Sequence, residues 1–171
     1  MQDFEHLYSA YKKDIYNFIL RISGYEYAIA EELTQETFYR AFMSFSKFQG
    51  RCQIKTWLCQ IAKNVYYQYL RKNKKDSLVF KSAIEQVPDK YTSTIPEHEI
   101  EKAELIRKAL SIINDFDNRT RDVVLYRLYS DLSYAQISLL MGISEGSAKV
   151  VFFRGKALLQ ARLREEYGYE I

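Results

Sequence analysis

Cysteine, proline, glycine and histidine are all scarce in this 171-residue chain, at two, two, six and two residues. Each shortage excludes something. Cys52 and Cys59 make no disulfide framework, and with only His6 and His98 elsewhere they make no zinc set. They read as reduced thiols in a reducing cytoplasm. No Gly-rich phosphate loop is present, and no His, Cys and carboxylate group stands at ligand or nucleophile spacing. That argues against an enzyme and leaves no cofactor or metal to expect. No apolar run approaches the roughly 18 residues that span a bilayer, and the N-terminus lacks a basic segment followed by an apolar one. A cytoplasmic protein without direct membrane insertion is expected.

What is abundant favours helices. Apolar residues make up 47% of the chain, enough to bury a core, and few breakers interrupt the Leu, Ala, Glu, Lys, Arg and Tyr. Phe4, Leu7, Tyr8, Tyr11, Ile15, Phe18, Ile19 and Ile22 recur at helical spacing up to Gly24. A second helix is predicted from about Tyr27 to Phe45, acidic in its first half at Glu31, Glu32 and Glu36, then a loop at Phe48 to Arg51. A third, about Ile54 to Arg71, lines up Ile54, Trp57, Leu58, Ile61, Val65 and Tyr69. Three such helices can close one core. From Asp76 to Pro96 the periodicity fades and both prolines occur, which reads as an extended linker. Helical patterns resume at about Glu97, with a further helix from about Asn118 to Tyr129. The fold class is all-α, two small helical domains joined by a flexible linker.

The net charge is only +3, but the charges are segregated. Lys63, Arg71, Lys72, Lys74 and Lys75 form one acid-free basic stretch, and Lys149, Arg154, Lys156, Arg162 and Arg164 a second. Between them Glu85, Asp89, Glu97, Glu99, Glu101 and Glu104 face only Lys90 and Lys102. Two basic patches with an acidic interval suggest two separate contacts with a polyanion, although either patch alone could be a solvated helix face.

Leu132 to Leu163 carries the strongest local signal. Ser133 and Gln136 fit a capping box, Ile137, Leu140 and Met141 give an apolar stripe, and Gly142 permits a left-handed turn. Ile143 plugs that turn and Ser144 caps the next helix. Short helix, glycine turn and longer helix make a helix-turn-helix. In the longer helix Ala148, Val151 or Phe152, and Leu159 face inward, while Lys149, Phe153 and Lys156 share an outer face flanked by Ser147, Val150 and Arg154. Cations there suit phosphates or guanine edges, and Phe or Val suits thymine methyls. The plainer alternative is a helical hairpin with a basic solvent face.

The third helix interleaves Lys63, Asn64, Tyr66, Tyr67, Tyr69, Arg71 and Lys72 beside a loop with Arg51 and Lys55. Rings, an amide and cations together suit unstacked single-stranded bases. Trp57 lies on the apolar stripe and reads as core.

In this order and spacing the residues resemble the extracytoplasmic-function sigma factors, group 4 of the sigma-70 family, over nearly the whole chain. Ala30-Glu31-Glu32-Leu33-Thr34-Gln35-Glu36-Thr37-Phe38-Tyr39-Arg40-Ala41-Phe42 is similar to the polymerase-binding part of region 2. Phe48-Gln49-Gly50 and Thr56 to Asn64, ending at Tyr69-Leu70-Arg71-Lys72, are similar to the promoter-melting part. Leu132 to Ile137, Gly142 to Lys149 and Arg154-Gly155-Lys156 resemble region 4. The resemblance implies region 2 over 1–75, a linker over 76–96 and region 4 over 97–171. It further implies an RNA polymerase sigma factor, with no catalysis of its own, that binds core polymerase, directs it to promoters and promotes melting.

The implied roles fall on matching positions. Glu32, Gln35, Glu36, Phe38 and Arg40 would dock on the β′ clamp helices. Phe48, Arg51, Lys55, Lys63, Asn64, Tyr67 and Arg71 would serve the −10 element, with Asn64 receiving a flipped base. Ser147, Lys149, Val150, Phe153, Arg154 and Lys156 would read the −35 element. The implied partners are core RNA polymerase, through its β′ clamp helices and β flap, promoter DNA, and a cognate anti-sigma factor, often membrane-anchored in this family. Where the family usually has polar or basic residues this chain has Val150 and Val151, which makes the −35 contact more apolar. A stand-alone helix-turn-helix repressor or activator would account for Leu132 to Leu163. It would leave the acidic surface at 31–36 and the Asn64 face without a purpose.

Overall fold

Ile15, Phe18, Ile19 and Ile22, all 2% exposed or less, set the buried stripe of helix α1 (Gln2–Ile22). The computed structural model describes residues 2–80 and 97–169. Gly24 and Tyr25, both at positive φ, turn the chain after α1 into α2 (Tyr27–Ser44), and a 3-10 turn over Phe45–Lys47 extends α2. Two polar residues sit in the buried face of α2 at little cost. The hydroxyls of Thr34 and Thr37 donate to the carbonyls of Ala30 and Leu33, each at 2.6 Å, so neither is left unpaired.

Helix α3 (Ile54–Phe80) packs against both. It runs further than its apolar stripe suggests, and Asp76–Phe80, assigned to the linker by sequence, continue the helix. The reason is local: no proline or glycine falls between Ile54 and Phe80, and the first proline is Pro88. The remainder of the expected linker, 81–96, lies outside the described residues.

The second half comprises α4 (Glu97–Asn114), α5 (Asn118–Tyr129), α6 (Tyr134–Met141) and α7 (Glu145–Tyr167). The Asp117 carboxylate caps α5 by accepting from the amides of Arg119 and Thr120, both at 3.1 Å. Val123, Val124, Leu132, Ile137, Ala148 and Leu163 close its core. No strand occurs among the described residues, and the two helical groups match the expected all-α architecture.

The halves meet along a seam in which α5 lies against α1, and α6 against α3. Phe18 stacks on Tyr126 with ring centroids 6.5 Å apart, so the two apolar cores are continuous through this pair. Arg107 Nε donates to the Gly24 carbonyl at 3.1 Å, and Arg21 pairs with Asp131 at 3.6 Å. The Gln136 amide donates to Gln53 Oε1 at 2.8 Å.

Candidate nucleic-acid interface

The turn between α6 and α7 has the local chemistry its sequence requires. Ser133 Oγ accepts from the Gln136 amide at 3.2 Å while the Gln136 side chain accepts from the Ser133 amide at 2.8 Å, which completes the capping box. Gly142 adopts φ 63°, left-handed, and the following amide, of Ile143, donates to the Ser138 carbonyl at 3.2 Å. Ser144 Oγ then accepts from the Ser147 amide at 3.0 Å and starts α7. Ala148, Phe152, Gly155, Leu159 and Leu163 turn inward. Lys149, Val150, Phe153, Arg154 and Lys156 are exposed along one side, with Ser147 half-buried at its start. Phe153 and Val150 are 59% and 49% exposed, which is unusual for apolar side chains and leaves them available to a partner. Lys149 is lightly held, with Glu145 at 3.9 Å and the Tyr134 ring at 5.8 Å.

On α3 the expected −10 residues divide into two groups. Asn64, Arg51 and Arg71 are exposed, and no side-chain hydrogen bond of Asn64 occurs among the described residues. Phe48 packs on Trp57 at 4.9 Å between ring centroids, and Lys55 pairs with Asp14 at 3.1 Å. Lys63 and Tyr67 are turned into the seam. Lys63 Nζ lies 2.5 Å from Asp122 Oδ2, and Tyr67, 8% exposed, donates its hydroxyl to Asn114 Oδ1 at 2.8 Å. The Arg121 guanidinium lies 4.0 Å from the centre of the Tyr67 ring and binds the other Asp122 oxygen at 3.0 Å. Tyr66 is buried as well, and burial pushes both phenols above their ordinary range. Tyr67 therefore does not stand open on the outer face of α3 in this arrangement, because Asn114 of α4 and Arg121 of α5 cover it. Asp122, Arg121 and Asn114, which do the covering, carry no local sequence signal.

Between α2 and α3 runs an open groove of about 500 Å³ lined by Glu32, Gln35, Glu36, Tyr39, Arg40, Gln68, Tyr69 and Lys72. Glu32 and Gln35 are exposed at its edge. Arg40 Nε donates to Glu36 at 2.6 Å and its Nη1 to Gln68, which fixes the guanidinium across the groove. Tyr39, 61% exposed, lines the groove and belongs with these residues. Phe38 does not. It is 3% exposed, edge-on to Phe4 and Tyr8 with centroids 6.5 and 4.8 Å away. Its place in the docking set is corrected to one in the core, where it anchors α2. Among the described residues no group of His, Cys, Asp and Glu could hold a metal ion, and no helix is long and apolar enough to cross a membrane.

Residues 7–76 match the family model described as Sigma-70 region 2, and residues 107–159 match Sigma-70, region 4. The chain is 32% identical over 157 residues to the ECF RNA polymerase sigma factor SigM of Bacillus subtilis strain 168, covering 92% of this chain and 93% of that protein. It is 28% identical to SigW of the same organism, covering 95% of this chain and 89% of SigW. Among solved structures it resembles the sigma factor RpoE in complex with the anti-sigma factor NepR from Bartonella quintana. The TM-score is 0.61 at 20% identity, over 96% of this chain and 98% of that one. CnrH in complex with the cytosolic domain of CnrY is similar, with a TM-score of 0.63 at 16% identity, over 96% and 90%.

Proposed function

Because the chain belongs to the sigma-70 family, as an extracytoplasmic-function RNA polymerase sigma factor that directs polymerase to promoters, we propose that its surfaces divide docking, melting and duplex reading among them. The acidic edge of the α2–α3 groove, Glu32, Gln35 and Glu36 with Arg40 and Tyr39, docks on the β′ clamp helices. Charges at such an edge steer association more than they add affinity. The face of α3 around Asn64, with Phe48, Arg51, Lys55, Lys63, Tyr67 and Arg71, holds the −10 element after its strands part. The exposed side of α7, from Ser147 to Lys156, reads the −35 duplex while the other surface of that half meets the β flap. The protein is not an enzyme and works in the cytoplasm, where a cognate anti-sigma factor, membrane-anchored in one form, holds it until a signal arrives. RpoE, similar in fold, was solved in complex with the anti-sigma factor NepR.

The observation that carries this reading is the coexistence of two unlike surfaces in one chain. A capped helix-turn-helix with an apolar and basic outer face stands beside a polar groove on the other half, where Glu32 and Glu36 are set against Arg40 and Lys72. A repressor needs only the first. On gel filtration with core polymerase, the protein is expected to co-elute as a stoichiometric complex. A protein that binds duplex DNA but elutes apart from core would be a stand-alone helix-turn-helix regulator instead.

A further inference from the structure

The outer side of α7 carries an apolar pair that its own fold does not use. Val150 and Phe153 are 49% and 59% exposed, while Ala148, Phe152, Leu159 and Leu163 fill the buried side of the same helix. Val151, the neighbouring departure from the family's polar pattern, packs against the core, so Val150 alone carries that departure outward. Both outer side chains are held in place. A β-branched side chain in a helix has essentially one rotamer, which fixes the two methyls of Val150. Phe153 stands edge-on to Phe152 with ring centroids 5.5 Å apart, and Phe152 edge-on to Tyr134 at 5.8 Å, so the outer ring rests on a packed aromatic row. Three exposed cations, Lys149, Arg154 and Lys156, surround the pair.

We propose that Val150 and Phe153 read the C5 methyls of two thymines on adjacent base pairs of the −35 duplex, so that this face tells thymine from uracil. The inference rests on the assignment of α7 to duplex reading and names what the apolar part of that face recognises. Base edges in the major groove present hydrogen-bonding groups with one apolar exception, the thymine methyl. Apolar side chains satisfy neither a phosphate nor a donor, so on a helix that cations seat against phosphates they select that one apolar group. The spacing agrees. Three residues advance about 4.5 Å along a helix, and base pairs stack about 3.4 Å apart, so one side chain falls on each of two neighbours. Side chains that are already fixed also lose little freedom on contact. A protein partner could cover an apolar pair as well, but three cations around it match a polyanion.

A random duplex library, bound by the full-length protein and amplified with thymidine triphosphate, should enrich a motif containing adjacent thymines. In that duplex, replacing one of the two by deoxyuridine removes a single methyl and leaves every hydrogen-bonding group in place. Affinity read by fluorescence anisotropy should fall about fourfold for one replacement and about 15-fold for both, the worth of one and of two buried methyls. Val150→Ala should abolish the preference for thymine over uracil at one position, and Phe153→Ala at its neighbour. Both side chains are exposed and alanine favours helix, so both variants should match the parent in circular dichroism. Equal binding of the thymine and deoxyuridine duplexes overturns the proposal and leaves the pair to a protein partner. A thymine preference that survives both alanine variants also overturns it, because the methyls then act through the shape of the duplex. Enrichment of no motif at all overturns the assignment of α7 to duplex reading, and the proposal with it.

Discussion

Gly155 stands between Arg154 and Lys156 on the helix proposed to read duplex DNA, and replacing it by alanine sets two opposing effects against each other. Glycine inside a helix costs about 0.5–1 kcal/mol relative to alanine, so propensity alone would make Gly155→Ala stabilising. Packing opposes this. A Cβ at 155 would lie 2.6 Å from Val124 Cγ2 and 2.9 Å from Thr120 Cγ2. Carbon atoms in contact ordinarily sit about 3.5–4.0 Å apart. Val124 is fully buried, and a β-branched side chain in a helix has essentially one rotamer, so it cannot swing aside. Helices α5 and α7 must separate. Overpacking of this kind costs about 1–3 kcal/mol. At 2.6 Å from a locked side chain the middle to upper part of that range applies, and setting the propensity gain against it leaves a net loss of about 1–2 kcal/mol. Because the two halves share a seam, the conversion for a chain of this length applies, about 2–4 °C per kcal/mol. Thermal unfolding followed by circular dichroism should show a Tm lower by about 2–8 °C, with weaker duplex binding because α7 has shifted. A Tm equal to or above that of the parent would refute the close α5–α7 crossing.

Other expectations follow from the same surfaces. Glu32→Lys with Glu36→Lys should weaken association with core polymerase mainly through a slower on-rate, more so at low salt, with helical circular dichroism unchanged; surface plasmon resonance at two ionic strengths reads this, and an unchanged on-rate argues against docking there. Arg154→Ala should cost about 1–3 kcal/mol and relax preference at one −35 position if the guanidinium reads a guanine. Equal weakening over all duplexes would make it a phosphate contact instead. Asn64→Ala should keep its fold and core binding yet leave thymines near −10 unreactive to permanganate, because extruding a base costs a few kcal/mol that its pocket must offset. Parental reactivity in that variant would return Asn64 to a structural role.

What could be read from the chain alone was whatever chain neighbours determine. The helix-turn-helix is written in short-range chemistry, Ser133 with Gln136, Gly142, and Ser144 with the Ser147 amide, and each of these features is present. The apolar stripe of α1 and the start of α5 at Asn118 were legible for the same reason. The far end of α3 was not, since fading amphipathicity marks the end of burial and not the end of a helix. Phe38 was misplaced because a motif gives a helix face only coarsely, and one residue separates the exposed Tyr39 from the core. The seam left no trace in the sequence. Lys63 and Asp122 are 59 residues apart, each on an ordinary amphipathic helix, and nothing local distinguishes a lysine that will meet a carboxylate from one that will meet a phosphate.

The most direct test of promoter direction is to transcribe fragmented genomic DNA with core polymerase, with and without this protein, and sequence the 5′ ends of the RNA. Starts that require the protein should cluster downstream of a shared pair of elements at −35 and −10, fade with Asn64→Ala, and recover only in part on a template melted in advance. Starts identical to those of core polymerase alone, despite binding of the protein to duplex DNA, would contradict the account.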